Sequence, residues 1–217
     1  MSSGGPKKFG KDDDEWKPTR RGVLLTALPL LLGSTRWLSA GEDGAMTQIA
    51  EGFGKINPKA PAELARFAFL VGKFRCEAKL KSADGSWQTF EAAWLGRFIL
   101  DGYAIADEYR MMSASGELLV LGLNFRVYDA ARKMWNIKWL NGLAGNWMDL
   151  VSEEMGGIHI DAESISYVFK ETVGGHAYTR ATYTNHSTTH FTWRGEGSED
   201  RKKWSEYMII EAQRAGS

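Results

Sequence analysis

Cysteine, histidine and charge imbalance are all scarce in this 217-residue chain, and each scarcity excludes something. A single cysteine, Cys76, rules out an intramolecular disulfide, so the fold must stand on packing alone. Neither sign of charge is in excess, with 27 Lys and Arg against 27 Asp and Glu. The first 40 residues hold seven of the basic and four of the acidic side chains, leaving 20 against 23 (27 − 7 and 27 − 4), a net of −3. Such a body lacks the clustered cations that nucleic-acid binding uses, so no nucleic-acid partner is expected. No Gly-x-Ser-x-Gly elbow and no Gly-rich phosphate loop is present. Long apolar runs are missing too. The one between Gly22 and Gly33 covers about 12 residues, is interrupted by Pro29, and falls short of the about 20 that cross a bilayer.

What is present at the N-terminus is a basic stretch, that short apolar run and a small residue, Ala40, which together read as an export signal. "TRRGVLL" resembles the twin-arginine (Tat) motif, with Arg20 and Arg21 as the pair and Arg36 as the basic residue after the apolar run. The acidic patch Asp12–Glu15 is less usual in such signals, and Leu38 suits the cut after Ala40 poorly, so an uncleaved signal would leave an anchor. The resemblance implies a bacterial protein that folds first, uses the Tat export machinery and works in the periplasm. Residues 1–40 are thus read as signal peptide. Residues 41–60 form a linker with a short helix in "MTQIAEGFGKI", and 61–217 the functional domain.

Past residue 66 the hydrophobic period is two. Phe74, Cys76, Ala78 and Leu80 alternate with Arg75, Glu77, Lys79 and Lys81, and Trp135, Ile137 and Trp139 alternate with Asn136 and Lys138. That is the pattern of strands with one wet and one dry face. In "LLVLGLNFRVY" the same period puts Leu119, Leu121, Leu123, Phe125 and Val127 on one face. Turn pairs punctuate the runs at Asp84-Gly85, Asp101-Gly102, Ser115-Gly116, Asn141-Gly142, Gly156-Gly157 and Gly174-Gly175. Strands joined by such turns pair with their sequence neighbours, and a long sheet removes its edges best by closing. The expected fold is all-β, an antiparallel up-and-down barrel of eight to ten strands. A short N-terminal helical segment, "PAELARFAFL", precedes it, opened by Pro61. A two-sheet sandwich is the competing architecture.

With those motifs in place, the chain resembles the calycins, the lipocalin-type barrels, and within them a bacterial family of unknown function. The resemblance rests on "FAFLVGKF", "WLGRFILDGYAIADEYR", "FRVYDAARKMWNIKW" and "SEDRKKWSEYMIIEAQR", spanning residues 61–214. Gly72-Lys73-Phe74 stands where lipocalins carry Gly-x-Trp, and Arg214 is the expected counterpart of the final-strand arginine that packs near that tryptophan. Barrels of this kind host binders and enzymes alike, so the resemblance implies a fold and no single activity.

The candidate site is aromatic. Trp94, Trp135, Trp139 and Trp193 fall within strands, and inward-facing tryptophans either fill a barrel or line a cavity for one small ligand. Asp107 shares a face with Tyr103, Ile105 and Tyr109; it either meets a ligand or, more simply, pairs with Arg97 or Arg126. His186 and His190 are read as lying on one strand, about 13 Å apart at 3.3 Å per residue, too far to share a metal. No metal is expected. They join Thr184, Thr188 and Thr192 in a polar stripe that is either a solvated outer face or a barrel lining. The leading expectation is therefore a binder of a small apolar or amphipathic molecule, without a cofactor. Its candidate contacts are Trp94, Asp107, Tyr109, Trp135, Trp139, Trp193 and His190. Two alternatives remain. One is an isomerase- or hydratase-like enzyme using isolated acid/base residues, such as Asp107 with Tyr109 or a histidine of the polar stripe. The other is a nitrobindin-like haem barrel, implied by the resemblance, with His190 or His176 as ligand.

Overall fold

Alternation builds the sheet. The computed structural model describes residues 53–170 and 175–216, so Arg20, Arg21 and the cut after Ala40 lie outside the described residues. In β1 (Gly72–Lys81) Phe74, Cys76 and Ala78 are buried while Lys73, Arg75 and Glu77 are exposed. Ten more strands follow: β2 (Trp87–Ile99), β3 (Ala104–Met112), β4 (Leu118–Asp129), β5 (Met134–Asn141), β6 (Asn146–Asp149), β7 (Ile158–Ile160), β8 (Ser164–Lys170), β9 (Tyr178–Ser187), β10 (His190–Ser198) and β11 (Ser205–Arg214). Eleven strands replace the expected eight to ten because β6 and β7 are too short to display a period.

All eleven belong to one antiparallel sheet in the order β6-β5-β4-β3-β2-β1-β11-β10-β9-β8-β7. A single sheet disposes of the sandwich. Neighbours in sequence are neighbours in space, except that β1 is flanked by β2 and β11, with Phe74 opposite Arg214 and Ala78 opposite Ile210. The sheet curls until opposite walls touch, since Arg126 Nη2 on β4 donates to the Tyr183 hydroxyl on β9 at 2.8 Å. The result is a curled up-and-down barrel whose two edge strands are β6 and β7.

On β4 the structure reverses the sequence expectation about which face is dry. Gly122, Asn124 and Arg126 are buried, while Leu123, Phe125 and Val127 look outward and, like Leu121, are only half-covered. Leu123 stands between Glu108 on β3 and Leu140 on β5, and Leu121 beside Arg110. Neighbouring side-chain stems shield these leucines. The inward positions are reserved for a buried polar group, and that requirement overrides hydrophobicity.

One end of the barrel is plugged. Residues Ala62–Leu70 form a 3-10 helix that Pro61 precedes and Val71 ends by turning extended. A 3-10 helix has three residues per turn, so Leu64, Phe67 and Leu70 stack on one edge, and all three are fully buried. Each such burial contributes about 1.5–3 kcal/mol. The helix predicted in 46–56 is not seen where it can be checked: residues 53–56 are non-helical. They strap the closed end instead, the Phe98 N–H donating to Phe53 O at 2.8 Å and the Asn57 N–H to Gly102 O at 3.2 Å. Above the plug an aromatic layer fills the lower barrel. Phe67 meets Trp135 edge-on at 4.9 Å, and Phe191 meets both Phe74 at 5.0 Å and Trp94 at 5.4 Å.

Candidate ligand cavity

Above that aromatic layer the barrel is hollow. A cavity of about 320 Å³ is lined by inward residues of both walls, from Trp94 and Tyr109 to Tyr167, Phe169 and Tyr183. Its wall holds three tryptophans, four tyrosines and a phenylalanine, with aliphatic residues and three asparagines between them, and none of the lining residues is charged. Close approach of glycine makes room for the larger rings. A side chain on Gly122 would overlap the Trp139 indole, and one on Gly195 would lie 2.7 Å from Trp193 and 2.8 Å from Tyr207. Leu119 and Leu143 line the cavity and are also exposed, so they form part of an apolar rim.

The polar groups of this wall divide into satisfied and unsatisfied. Beneath the cavity, Asp107 and Arg126 form an ion pair with both side chains fully buried. Asn124 Nδ2 donates to Asp107 Oδ1 at 2.9 Å, and the Arg126 guanidinium sits 5.0 Å from the Phe67 ring centre. The Tyr183 hydroxyl, which accepts from Arg126, lies 3.2 Å from the Tyr167 hydroxyl. The Trp94 indole N–H and the Tyr109 hydroxyl are buried without a hydrogen-bond partner, as are Arg126 Nε and the Thr179 hydroxyl. Trp94 and Tyr109 stand directly opposite each other on β2 and β3, with ring centres 5.5 Å apart. Burial, and then the nearby Cys76 sulfur, push the Tyr109 hydroxyl well above its ordinary pKa, so it remains a donor. Burial does the same to Tyr167.

Four of the predicted contacts thus come together at the cavity: Trp94, Tyr109, Trp139 and Trp193. Three do not. Trp135 lies in the filled floor, edge-on to Phe67 and 5.4 Å from Tyr128. Asp107 sits behind the wall, held by Arg126 and Asn124, which is the pairing the sequence favours over a ligand contact. His190 is on the outer face. The reason is a hairpin: β9 ends at Ser187 and β10 begins at His190, so His186 and His190 are not on one strand. Their rings stack with centres 4.6 Å apart rather than about 13 Å. The outer hydrogen bonds fix both tautomers. A carboxylate only accepts, so His190 Nε2–H donates to Glu211 Oε2 at 2.9 Å and the Thr192 hydroxyl donates to the same oxygen at 3.1 Å. His186 Nε2–H then donates to Thr192 Oγ1 at 2.7 Å.

Sequence reasoning missed Tyr167, Phe169, Tyr183 and Tyr207. The first three carry the same period-two signal as β1, in "SISYVFK" and "TRATYT". Tyr207 carries no such signal, because a bulge opposite Gly195 and Glu196 resets the register there.

Haem does not fit. No histidine lines the cavity, His190 faces away from it, and His176 covers Gly197 with its Nδ1 3.5 Å from Glu199 Oε1. Among the described residues, no group of three His, Cys, Asp or Glu side chains could hold a metal ion. Nor is Asp107 free to act as a base beside Tyr109, its carboxylate being engaged by Arg126 and Asn124.

No family model matches the chain, and no curated protein matches it significantly. Solved structures do. Rv2717c from M. tuberculosis superposes with a TM-score of 0.51 at 6% identity, covering 72% of this chain and 99% of that one. EF1p2_mFAP2b, solved bound to DFHBI, gives 0.36 at 14% identity, covering 71% of this chain and 100% of that one. The redesigned beta barrel b11L5F_LGL gives 0.34 at 12% identity, covering 69% and 94%. At these identities the likeness concerns the fold alone, a curled antiparallel β-barrel.

Proposed function

We propose that this barrel binds one small apolar or amphipathic molecule in its upper half and acts as an exported carrier. The observation that carries the reading is the cavity itself: about 320 Å³ walled by aromatic and aliphatic side chains. A core packed for stability alone closes such a space. The apolar rim at Leu119 and Leu143 suits a guest that leaves water reluctantly.

Titration of tryptophan fluorescence with fatty acids, quinones and aromatic acids tests the binding. Trp94, Trp139 and Trp193 report from the wall, so quenching or a spectral shift by at least one class is expected, and silence from all of them overturns the proposal. Export is supported by the sequence, through Arg20 and Arg21. Replacing both with lysine is expected to keep the protein in the cytoplasm of a bacterial host with a twin-arginine system. Unchanged periplasmic yield overturns that part.

A further inference from the structure

The rim of the cavity is polar but uncharged, and that names a ligand class, an inference that rests on the carrier reading and deepens it. We infer that the guest is a neutral amphipathic molecule held head outward. Its apolar body lies among the aromatic rings, and an uncharged head bearing oxygen, a hydroxyl or a carbonyl, sits between Asn141 and Asn146.

Three observations converge. First, the strand period aims both asparagines inward. Asn141 continues the inward series Trp135, Ile137 and Trp139 of β5, and its partner on β6 is Asn146, just as Met148 is the partner of Trp139. Residues directly opposite on paired strands share a face, so both carboxamides line the cavity alongside Trp139. Second, both stand where solvent reaches them. Asn146 is exposed and Asn141 half-buried, and Leu143 in the turn between them is exposed, so a guest meets these amides without parting the packed wall. Third, the orientation of Asn141 is fixed. Its Oδ1 accepts from the Leu143 N–H at 3.0 Å and the Ala144 N–H at 3.1 Å, and a nitrogen in that place would face two donors. What Asn141 presents to a guest is therefore Nδ2, a donor, which selects an accepting oxygen. None of the lining residues is charged, so a carboxylate or ammonium head would give up part of its hydration without gaining a counter-charge. A hydroxyl or carbonyl gives up less and is paired.

The test uses 1-dodecanol, laurate and dodecylamine, which share a body and differ in the charge of the head at neutral pH. Each is titrated below its aggregation limit into the full chain, reading tryptophan emission and calorimetric heat. Dodecanol is expected to bind about tenfold more tightly than either charged analogue. Asn141→Asp keeps an oxygen for the Leu143 and Ala144 N–H groups but replaces the donor with an anion. In that variant dodecylamine is expected to gain about tenfold on dodecanol, and laurate to weaken further. Asn136→Asp puts the same charge on the exposed outer face of β5 and is expected to leave the order unchanged. Laurate or dodecylamine binding the unaltered protein as tightly as dodecanol overturns the inference. So does an order that Asn141→Asp leaves alone or that Asn136→Asp shifts equally, and in each of these cases the carrier reading stands. Silence from all three while quinones bind overturns the inference alone, whereas silence from these and from every class in the wider titration overturns both.

Discussion

The guanidinium of Arg214 sits over the ring of Phe74, 4.6 Å from its centre, and stitches the closed end together. Its Nη1 donates to Val71 O at 2.9 Å and its Nε to Thr188 O at 2.9 Å, joining the end of the plug helix to the β9–β10 hairpin. This is the arginine the lipocalin resemblance anticipates, with Phe74 in place of tryptophan. Gly72 is part of the same arrangement, since a side chain there would overlap the guanidinium and its φ of +137° disfavours any other residue. Arg214→Ala is expected to cost about 2–3 kcal/mol in urea unfolding, from two charged-donor hydrogen bonds and a cation–π contact. Arg214→Lys should recover little, because an ammonium cannot donate along both directions while stacking. Full recovery by lysine would refute the account.

The buried pair beneath the cavity makes a different prediction. Removing one partner leaves an uncompensated charge, so Asp107→Leu or Arg126→Met alone should destabilise by about 3–5 kcal/mol. The double variant should be more stable than either single one, because both charges leave the interior together. Chemical denaturation of the three variants checks this, and strict additivity of the two losses would contradict the pairing.

Tyr109→Phe should raise the stability of the empty protein. The hydroxyl is buried without a partner, and deleting such a group relieves a desolvation cost of about 1–3 kcal/mol. Few substitutions in a core are expected to stabilise it, which makes the sign of the change in Tm the deciding measurement. A lower Tm would mean that the hydroxyl is satisfied.

On the outer face, burial pushes the Glu211 carboxyl up, but the hydrogen bonds from His190 and Thr192 outweigh it and leave the pKa lowered. A group with a depressed folded pKa contributes stability that is present above its unfolded value, about 4.3 for glutamate, and is lost as pH falls through the folded value. Carboxyl carbon shifts of Glu211 followed by NMR across acid pH should therefore show a low midpoint. Thr192→Val and His190→Phe should each move it upward, and an unmoved midpoint would sink the assignment.

Gly122→Ala is expected to push the Trp139 indole out of its place. Overpacking of this kind costs about 1–3 kcal/mol, and here it should also shrink the cavity. The check is a joint loss of thermal stability and of any ligand-induced change in tryptophan emission.

Strands with a charged face were legible in the sequence, as β1 and β5 show, because lysine and glutamate cannot be mistaken for wall residues. The face of β4 was not legible. Apolar side chains occupy its outside, and its inside holds Gly122, Asn124 and Arg126, whose place is dictated by Asp107 and Trp139 from other strands. Hairpins carrying glycine announced themselves, whereas Ser187–His190 carries none, and so two histidines were assigned to one strand. The tryptophans of the cavity could be named from period two. That the lower barrel is filled and the upper one hollow could not, since it depends on Phe67 arriving from the plug to meet Trp135.

The order of strands has a bearing on biosynthesis. β1 must wait for β11, and the residues they bring face to face, Phe74 and Arg214, are separated by nearly the whole sheet. Until translation has passed Ser205 the nascent chain carries two raw ribbon borders where the finished molecule has its middle. A premature stop before that point would split the sheet at its centre instead of trimming its margin.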